Sequence, residues 1–356
     1  MQRRGPKRDA KDAPQTPSRH TKMIILGIDT SCDDTSAAVL DGDRVLSNIV
    51  SSQMDLHALF GGVVPEIASR KHVELIDGIY RQALTEAGVS LADVDVLAVT
   101  QGPGLIGSLL AGLCFAKGLA LSTGKPLIGI NHVEAHAMSI FLEQQVEFPF
   151  VSLIVSGGHS VLLLFSEPCR FRMLGSTRDD AAGEAFDKVA KYLGLGYPGG
   201  RVVEELSRAG RADAVPLPRP MIDEDNYDFS FSGLKTSFIN YVKKLGISKS
   251  NCCDILASFQ EAACDVLTAK TVRAARFQGV KRVVVGGGVA SNNRLRDMLA
   301  TACAADGISV SFPSPGFCTD NGAMVAATAR FYADRGLFSG LDMRAFSRMR
   351  WSRDLC

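Results

Sequence analysis

The sequence has nine cysteines but lacks any Cys-x-x-Cys pair. Nine is an odd number, and Cys252 and Cys253 are adjacent, which suits neither an ordinary disulfide nor a zinc clip. A disulfide framework is therefore excluded. We expect free, mostly buried thiols in a reducing compartment, and a cytoplasmic location.

Long apolar runs are also missing. No stretch reaches the roughly 18 uninterrupted apolar residues that suggest a membrane helix, and Ser, Gly and Lys interrupt the nearest candidate, 105–121. The start of the chain, residues 1–22, has no apolar segment typical of a secretory signal. We expect a disordered basic leader there, because it is polar. Two Asp and few Ser disfavour the alternative of an organellar transit peptide.

An overall excess of charge is absent as well, since the net charge is +1. The leader holds seven Lys or Arg against two Asp, so the remaining chain is net negative. A second basic segment, 343–356, ends the chain. Its Arg and aromatic residues fit contacts with RNA phosphates and bases, and they fit a solvated tail equally well.

What the chain does have is a repeated pattern. Residues 23–50 read strand, turn, strand, turn, strand, and residues 148–176 repeat this order around a glycine turn. With 356 residues, 46% of them hydrophobic, the chain is long enough for two lobes. We predict a duplicated α/β fold with lobes over 23–147 and 148–315. A helix is expected within 316–342, with its helical pattern over 319–333, and it should return to the first lobe.

Three strand ends open into polar or glycine-rich turns, GIDTS, VSGGHS and VGGGVASN. Glycine lets successive backbone N–H groups converge on an anion. One such turn is weak evidence, but three at matching places resemble the phosphate and adenosine loops of the actin, hexokinase and Hsp70-like (ASKHA) ATPases. That fold predicts a nucleotide cleft between the lobes, but it does not give the reaction.

The segment NHVEAH, residues 131–136, places two histidines four apart. On a helix, His132 and His136 lie on one face and reach a common metal. Glu134 lies about 200° around the helix from either histidine, which opposes a zinc-protease site of the H-E-x-x-H type. Asp320 is the best third ligand, and two His with one carboxylate suit Fe(II) or Zn(II). The alternative is a polar helix start without metal.

Nine segments together resemble the tRNA N6-adenosine threonylcarbamoyltransferase (TsaD) family, once described as O-sialoglycoprotein endopeptidases. The resemblance covers residues 23–340 and rests on GIDTSCDDT (27–35), GGVVPEIASRKH (61–72), TQGPGLIGSLLAG (100–112), NHVEAH (131–136), VSGGHS (155–160), GEAFDKVAKYLGLGYPGG (183–200), FSFSGLKT (229–236), GGVASN (287–292) and CTDNGAM (318–324).

The resemblance implies a reaction. The threonylcarbamoyl group passes from threonylcarbamoyl-AMP to N6 of adenosine 37, beside the anticodon of tRNAs that read ANN codons, and AMP is released. A metal, usually iron with zinc as the alternative, is implied at His132, His136 and Asp320. ATP or the acyl-adenylate would occupy the cleft, with Mg²⁺ accompanying ATP.

The same resemblance implies which other residues line the cleft. Substrate or nucleotide contacts carry over to Ile154, Val155, Ser156, Gly157, Gly158, Asp187, Gly200, Glu204 and Asn292. Weaker candidates are Asp29, Ser31, Cys32, Asp33 and Lys235. No nucleophile with a paired base is evident, so direct attack on the acyl-adenylate is favoured over a covalent intermediate on Cys32 or Cys318.

The chain departs from the family pattern at Arg201, where proline usually follows YPGG, and at Asp34, where glutamate is more usual. The implied partners are the tRNA anticodon stem-loop, a degenerate TsaB-like paralogue docking within 60–120, and a TsaE-like P-loop ATPase. The rival functions are a small-molecule kinase or ATPase of the same fold, a metalloprotease, and a noncatalytic scaffold.

Overall fold

The computed structural model describes residues 23–246, 248 and 251–348. The predicted basic leader and the last part of the basic tail lie outside these residues.

The first lobe is a five-stranded mixed sheet in the order β3-β2-β1-β4-β5. β1 pairs antiparallel with β2 and parallel with β4, and its apolar sequence IILGID is almost wholly buried. The elements of the first lobe in chain order are β1 (Ile24–Asp29), β2 (Asp34–Asp41), β3 (Arg44–Ser52), α1 (Met54–Ala58), α2 (Pro65–Ala87), β4 (Val96–Gly102), α3 (Ile106–Thr123), β5 (Leu127–Asn131) and α4 (His132–Met138).

The second lobe contains a sheet in the order β10-β9-β6-β7-β8. The elements of this lobe in chain order are β6 (Phe150–Val155), β7 (Ser160–Glu167), β8 (Arg170–Ser176), α5 (Ala182–Tyr192), α6 (Gly199–Ser207), α7 (Ser232–Leu245), α8 (Cys252–Phe277), β9 (Arg282–Gly286), α9 (Asn293–Ala305) and β10 (Ser309–Ser311). Two further helices follow in the chain, α10 (Pro315–Cys318) and α11 (Gly322–Ala333).

The two sheets have the same topology. In each, three antiparallel strands come first in the chain, and the first of them pairs in parallel with the fourth strand, which pairs in parallel with the fifth. The predicted duplication is therefore confirmed, and the turns at 30–33 and 156–159 occupy equivalent places between the first two strands of each sheet.

Helix α11 comes last in the chain but packs on the first sheet. Its apolar residues share a buried cluster with β1, β2, β4 and β5. Gly27 permits this approach, because a Cβ there would collide with the backbone of Gly322 and Ala326. The sequence predicts that this helix begins at 319. It begins at Gly322, because Asn321 caps it by accepting a hydrogen bond from the Met324 N–H at 2.9 Å.

Helix α3 has the length and apolar composition of a membrane span, and it is the one such helix among the described residues. One helix of this kind is weak evidence, because core helices pass the same test. Its Leu113, Ala116 and Ala120 pack in a buried cluster with α2 and the first sheet.

All eight cysteines in the described part of the chain are free, which agrees with the expected absence of a disulfide framework.

Candidate metal centre and cleft

The histidine pair is positioned by the junction of β5 and α4. Asn131 ends the strand and caps the helix, accepting hydrogen bonds from the N–H groups of Val133 and Glu134 at 2.9 and 3.2 Å. The helix therefore begins at His132, and one turn later His136 lies beside it with the ring centroids 4.6 Å apart. Both imidazoles are buried.

Asp320 reaches the same point from the loop before α11. Its Oδ1 lies 3.1 Å from His136 Nε2 and 3.6 Å from His132 Nε2. One donor atom from each of the three side chains falls within 4.8 Å of the other two. The structure thus brings together the three residues that the sequence singled out as metal ligands.

The donor set fits a divalent cation. His136 Nε2 is buried, and its 3.1 Å contact with Asp320 Oδ1 does not have hydrogen-bond geometry, which is costly unless another ligand satisfies this nitrogen. Burial lowers the pKa of His132 to about 3, so its imidazole is neutral at physiological pH. Burial opposes the charge on Asp320, but the neighbouring histidines outweigh it and hold the Asp320 pKa below its ordinary value. Neutral imidazoles with one carboxylate are typical metal ligands.

Glu134 takes no part in this cluster. The Tyr332 hydroxyl of α11 donates a hydrogen bond to Glu134 Oε2 at 2.9 Å. Burial raises the pKa of Glu134 to about 8, so this carboxyl is protonated near neutral pH. The predicted orientation away from the histidine pair is confirmed, and the geometry of a zinc-protease base is absent.

The first cleft loop lies against the metal cluster. Ser31 Oγ donates to Asp320 Oδ2 at 3.3 Å, and Asp29 Oδ2 lies 3.8 Å from His132 Nδ1. Burial, followed by the charge of Asp320, raises the pKa of Asp29. Cys32 and Asp33 follow in the same turn. The loop predicted to contact phosphate is thus also the loop beside the candidate metal ligands.

His72 holds this loop in place, and the sequence analysis gave it no role. The buried ring of this α2 residue pairs Nδ1 with Thr35 Oγ1 at 2.8 Å and Nε2 with the Cys32 carbonyl at 2.9 Å. The segment GGVVPEIASRKH contained His72, but a single helical histidine gives no signal of its partners.

The second cleft loop follows β6. The Ser156 N–H donates to the His159 carbonyl at 2.8 Å, and the His159 N–H donates to Ser156 Oγ at 3.1 Å. Gly157 and Gly158 are exposed at this turn, whereas the side chains of Ile154 and Val155 are buried. The side chains of those two residues are therefore not available to a ligand.

His159 brings the second lobe to the metal cluster. Its ring centroid lies 6.0 Å from that of His132. Burial lowers the His159 pKa to about 4, so its ring is neutral at physiological pH. The sequence indicates that His159 lies in the glycine turn but gives no sign of this role, because the proximity to His132 depends on how the lobes meet.

A third group of candidates is joined by hydrogen bonds within the second lobe. Asp187 Oδ1 accepts a hydrogen bond from the Gly199 N–H at 2.7 Å, next to Gly200. Glu204 Oε1 accepts from Asn293 Nδ2 at 2.6 Å. Asn292 caps α9 and donates from Nδ2 to Gln260 Oε1 at 2.8 Å.

Of these residues, Glu204, Gln260 and Asn293 line a cavity of about 320 Å³, together with Arg294. A cavity of this size with a few fixed polar groups is typical of a small-ligand site.

Three further candidates, Cys32, Cys318 and Lys235, are not prepared for catalysis. Burial, followed by the charges of Asp33 and Asp320, raises the Cys32 pKa far above its ordinary value, and burial raises that of Cys318. Neither thiol is therefore prepared as a thiolate nucleophile. Lys235 pairs with Asp180 at 2.7 Å.

Arg201, the departure from the family pattern, lies exposed on α6 and pairs with Glu205 at 3.0 Å. Its side chain is therefore directed along the helix surface.

Comparison with known proteins agrees with this site. Residues 44–327 match the family model described as TsaD, tRNA N6-adenosine threonylcarbamoyltransferase. The curated protein of that name from Geotalea uraniireducens is 52% identical over 326 residues, covering 91% of this chain and 95% of the relative. The one from Clostridium perfringens strain SM101 is 48% identical over 333 residues, covering 92% and 98%.

Solved structures of lower identity share the fold. Full-length HypF in a phosphate- and nucleotide-bound form superposes with a TM-score of 0.61 at 16% identity, over 90% of this chain and 47% of HypF. The activator of 2-hydroxyisocaproyl-CoA dehydratase from Clostridium difficile, with bound ADPNP, has a TM-score of 0.52 at 15% identity, over 88% of this chain and 96% of the activator.

The duplicated sheets, the His-His-Asp cluster and these relatives lead to one conclusion. The chain has the bilobal ASKHA fold and is a transferase that modifies tRNA. It belongs to the tRNA N6-adenosine threonylcarbamoyltransferase (TsaD) family.

Proposed function

We propose that His132, His136 and Asp320 bind one divalent metal ion, Fe²⁺ in the first instance and Zn²⁺ as the alternative. The observation that carries this proposal is that His136 Nε2, buried and without a hydrogen bond, clusters within 4.8 Å with a ring nitrogen of His132 and a carboxylate oxygen of Asp320. When bound, such an ion acts as a Lewis acid that polarises a substrate oxygen.

The acyl-adenylate is proposed to lie in the cleft between the two loops. The backbone N–H groups of Gly157 and Gly158 would contact the phosphate, and Ser31 and Asp33 would border it from the first lobe. The exposure of both glycines supports this arrangement, as do the nucleotides bound by HypF and by the activator ATPase.

The ribose and adenine would then extend toward Asp187, Gly200, Glu204 and Asn292. The 320 Å³ cavity beside Glu204 and Gln260 supports this direction. Asp187 and Glu204 already accept hydrogen bonds from the protein, so each would contact a ribose hydroxyl through its remaining acceptor capacity.

The chemical step is direct attack. The exocyclic N6 of adenosine 37, in a tRNA that reads ANN codons, forms a bond to the threonylcarbamoyl carbonyl carbon. The bond from that carbon to the AMP phosphate oxygen breaks, and the proton lost by N6 passes to the departing phosphate. The raised pKa values of Cys32 and Cys318 support the absence of a covalent intermediate. ATP with Mg²⁺ would occupy the same cleft in the absence of the acyl-adenylate.

The partners are proposed as a TsaB-like paralogue and a TsaE-like P-loop ATPase. A face of the first lobe within 60–120 supports the first of these, because it exposes several large apolar side chains on α2 and α3 and in the loop before α2. They are Phe60, Val73, Ile106 and Leu110.

We also propose a cytoplasmic location, where the tRNA substrate is found. The domain bounds are proposed as before, with lobes at 23–147 and 148–315, the return helix within 316–342, and basic segments at 1–22 and 343–356.

The metal proposal is tested by measuring both the bound metal and the rate of threonylcarbamoyl transfer. The protein, its two proposed partners, threonylcarbamoyl-AMP and an unmodified ANN-reading tRNA are combined, and the nucleosides are analysed by mass spectrometry. We expect Asp320→Asn to lose the bound metal and at least 100-fold in transfer rate, about the effect of removing a key electrostatic group. Asp334→Asn, at the other end of α11, is the matched control and should keep both. Full transfer by metal-free Asp320→Asn protein would contradict the proposal.

A further inference from the structure

Residues 339–348, the last that the structure describes, lie along the edge of the first lobe, and we call this segment the strap. The Ser339 N–H donates to the Leu127 carbonyl at 2.7 Å, at the outer edge of β5. Lys117 Nζ donates to the Met343 carbonyl at 2.5 Å, and Gln101 Nε2 donates to the Arg344 carbonyl at 2.8 Å. Met343 and Ala345 pack on the apolar cluster beneath. The segment is therefore fixed to the lobe up to this point.

The strap leads to the mouth of the cleft. The Phe346 N–H donates to the Gln101 carbonyl at 3.1 Å, and the Gly104 N–H donates to the Ser347 carbonyl at 3.4 Å. Gly102 admits this approach, because a Cβ there would collide with the Phe346 backbone. The next residue of the loop, Leu105, donates its N–H to the Ser31 carbonyl at 2.8 Å.

Ser31 also bonds Asp320, so a single loop separates the strap from the metal cluster.

Arginines follow one another along this segment. Arg344 and Arg348 are exposed, and no carboxylate among the described residues lies within ion-pair distance of either guanidinium. The sequence continues with Arg350 and Arg353, against one acidic residue, Asp354, in 343–356. The ring of Phe346, between the two described arginines, is 44% exposed.

The positive charge of this segment contrasts with the net charge of the rest of the chain. Outside the leader and this segment the chain carries a net negative charge, and Asp33 lies in the first cleft loop with Asp34 next to it at the start of β2. A polyanionic substrate that approaches the cleft is therefore repelled by the body of the protein and attracted at the strap.

We propose that the strap, through Arg344 and Arg348, binds backbone phosphates of the anticodon arm of the substrate RNA, with Phe346 available to stack on an unpaired base. This rests on the tRNA-modifying function of the family. The modified adenosine must reach the metal cluster, so the phosphates next to it in the RNA pass the mouth of the cleft where the strap ends. Exposed Arg with an aromatic residue is the combination that binds single-stranded RNA loops.

The test is an equilibrium binding measurement, which does not depend on transfer. An anticodon stem-loop RNA with an ANN-reading loop is titrated with the full-length protein by fluorescence anisotropy at several KCl concentrations. We expect the double variant Arg344→Gln and Arg348→Gln to reduce the slope of log K against log[KCl] by about one for each arginine removed. We expect its Kd at 100 mM KCl to rise at least fivefold. Bound metal, measured in parallel, should be unchanged.

The matched control removes two exposed arginines, Arg170→Gln and Arg172→Gln, from β8, an edge strand of the second sheet. The control should keep the salt dependence of the wild-type protein. An unchanged slope in the strap variant would overturn the proposal. So would an equal decrease in both variants, because it would show that RNA responds to total charge and not to this site.

Discussion

Asp34 begins β2 with a carboxyl group that is largely enclosed, and its Oδ1 has no hydrogen-bond partner among the described residues. Burial raises its pKa to about 7, although a hydrogen bond with Ser52 opposes the increase. The folded protein thus binds this proton more tightly than the unfolded chain does. The stability contributed by the group is complete below about pH 4 and is lost as the pH rises through 7.

Asp34→Asn should therefore stabilise the protein in a pH-dependent way. Near pH 4 the folded wild-type side chain is protonated, and the variant should unfold at nearly the same urea concentration. At pH 8 the wild-type carboxylate is charged and buried, so the variant should gain stability, up to about 4 kcal/mol from a shift of this size. Urea denaturation at both pH values measures this. Asp213→Asn, which removes an exposed carboxylate, is the control. An equal effect of Asp34→Asn at pH 4 and pH 8 would contradict the assignment.

Single residues also show where sequence reasoning ends. His132, His136 and Asp320 were found because a spacing and a loop position indicate metal binding, and the structure brings them together. The partners of His72, and the approach of His159 to His132, depend on which loop faces which helix. Such contacts between distant segments leave no periodic signal in a single sequence.

At the scale of elements, two helices carry the candidate ligands. α4 contributes both histidines, and α11 follows directly after Asp320. The hydrogen bond from the Tyr332 hydroxyl to Glu134 joins these helices away from the ligands, inside the protein. This bond helps to set the position of α11 relative to α4, and therefore the position of Asp320 relative to the imidazoles.

Tyr332→Phe removes this hydrogen bond without removing the ring. Because the buried Glu134 carboxyl then loses its donor, we expect a loss of about 1–3 kcal/mol in the free energy of unfolding at pH 7. We also expect weaker metal retention during titration with a chelator. Tyr241→Phe, in α7 of the second lobe, is the matched control and should retain metal as the wild type does. If Tyr332→Phe keeps wild-type stability and metal affinity, the hydrogen bond does not position the ligands.

The sequence predicts the order of the helices and strands better than it predicts the residues at which they begin and end. The repeated strand pattern predicted two equivalent sheets because alternating turns and apolar runs mark strands directly. The start of α11 was placed three residues too early, since Thr319 and Asp320 are compatible with a helix and only the Asn321 side chain shows where it begins. Capping is a local hydrogen bond, and several neighbouring polar residues compete for it.

For the molecule as a whole, both lobes bound the cleft, and a hydrogen bond between them crosses its mouth. Lys191 Nζ, at the end of α5 in the second lobe, donates to the Gly61 carbonyl in the loop between α1 and α2 at 3.0 Å. Gly61 has a positive φ of 66° and no side chain, and a Cβ at this position would meet the lysine. The contact restrains the two lobes close to the proposed nucleotide position.

Lys191→Met keeps most of the length of the side chain but removes its donor. We expect the Kd for a nonhydrolysable ATP analogue to rise by about three- to tenfold, since one net hydrogen bond contributes roughly 1 kcal/mol to holding the closed cleft. The unfolding midpoint should change little, because the contact is exposed and lies outside both cores. Isothermal titration calorimetry measures the affinity, with Lys243→Met on α7 as the control. An unchanged nucleotide affinity would mean that the lobes are held together by the interior contacts around α4 and α11, and that the contact at the mouth of the cleft is incidental.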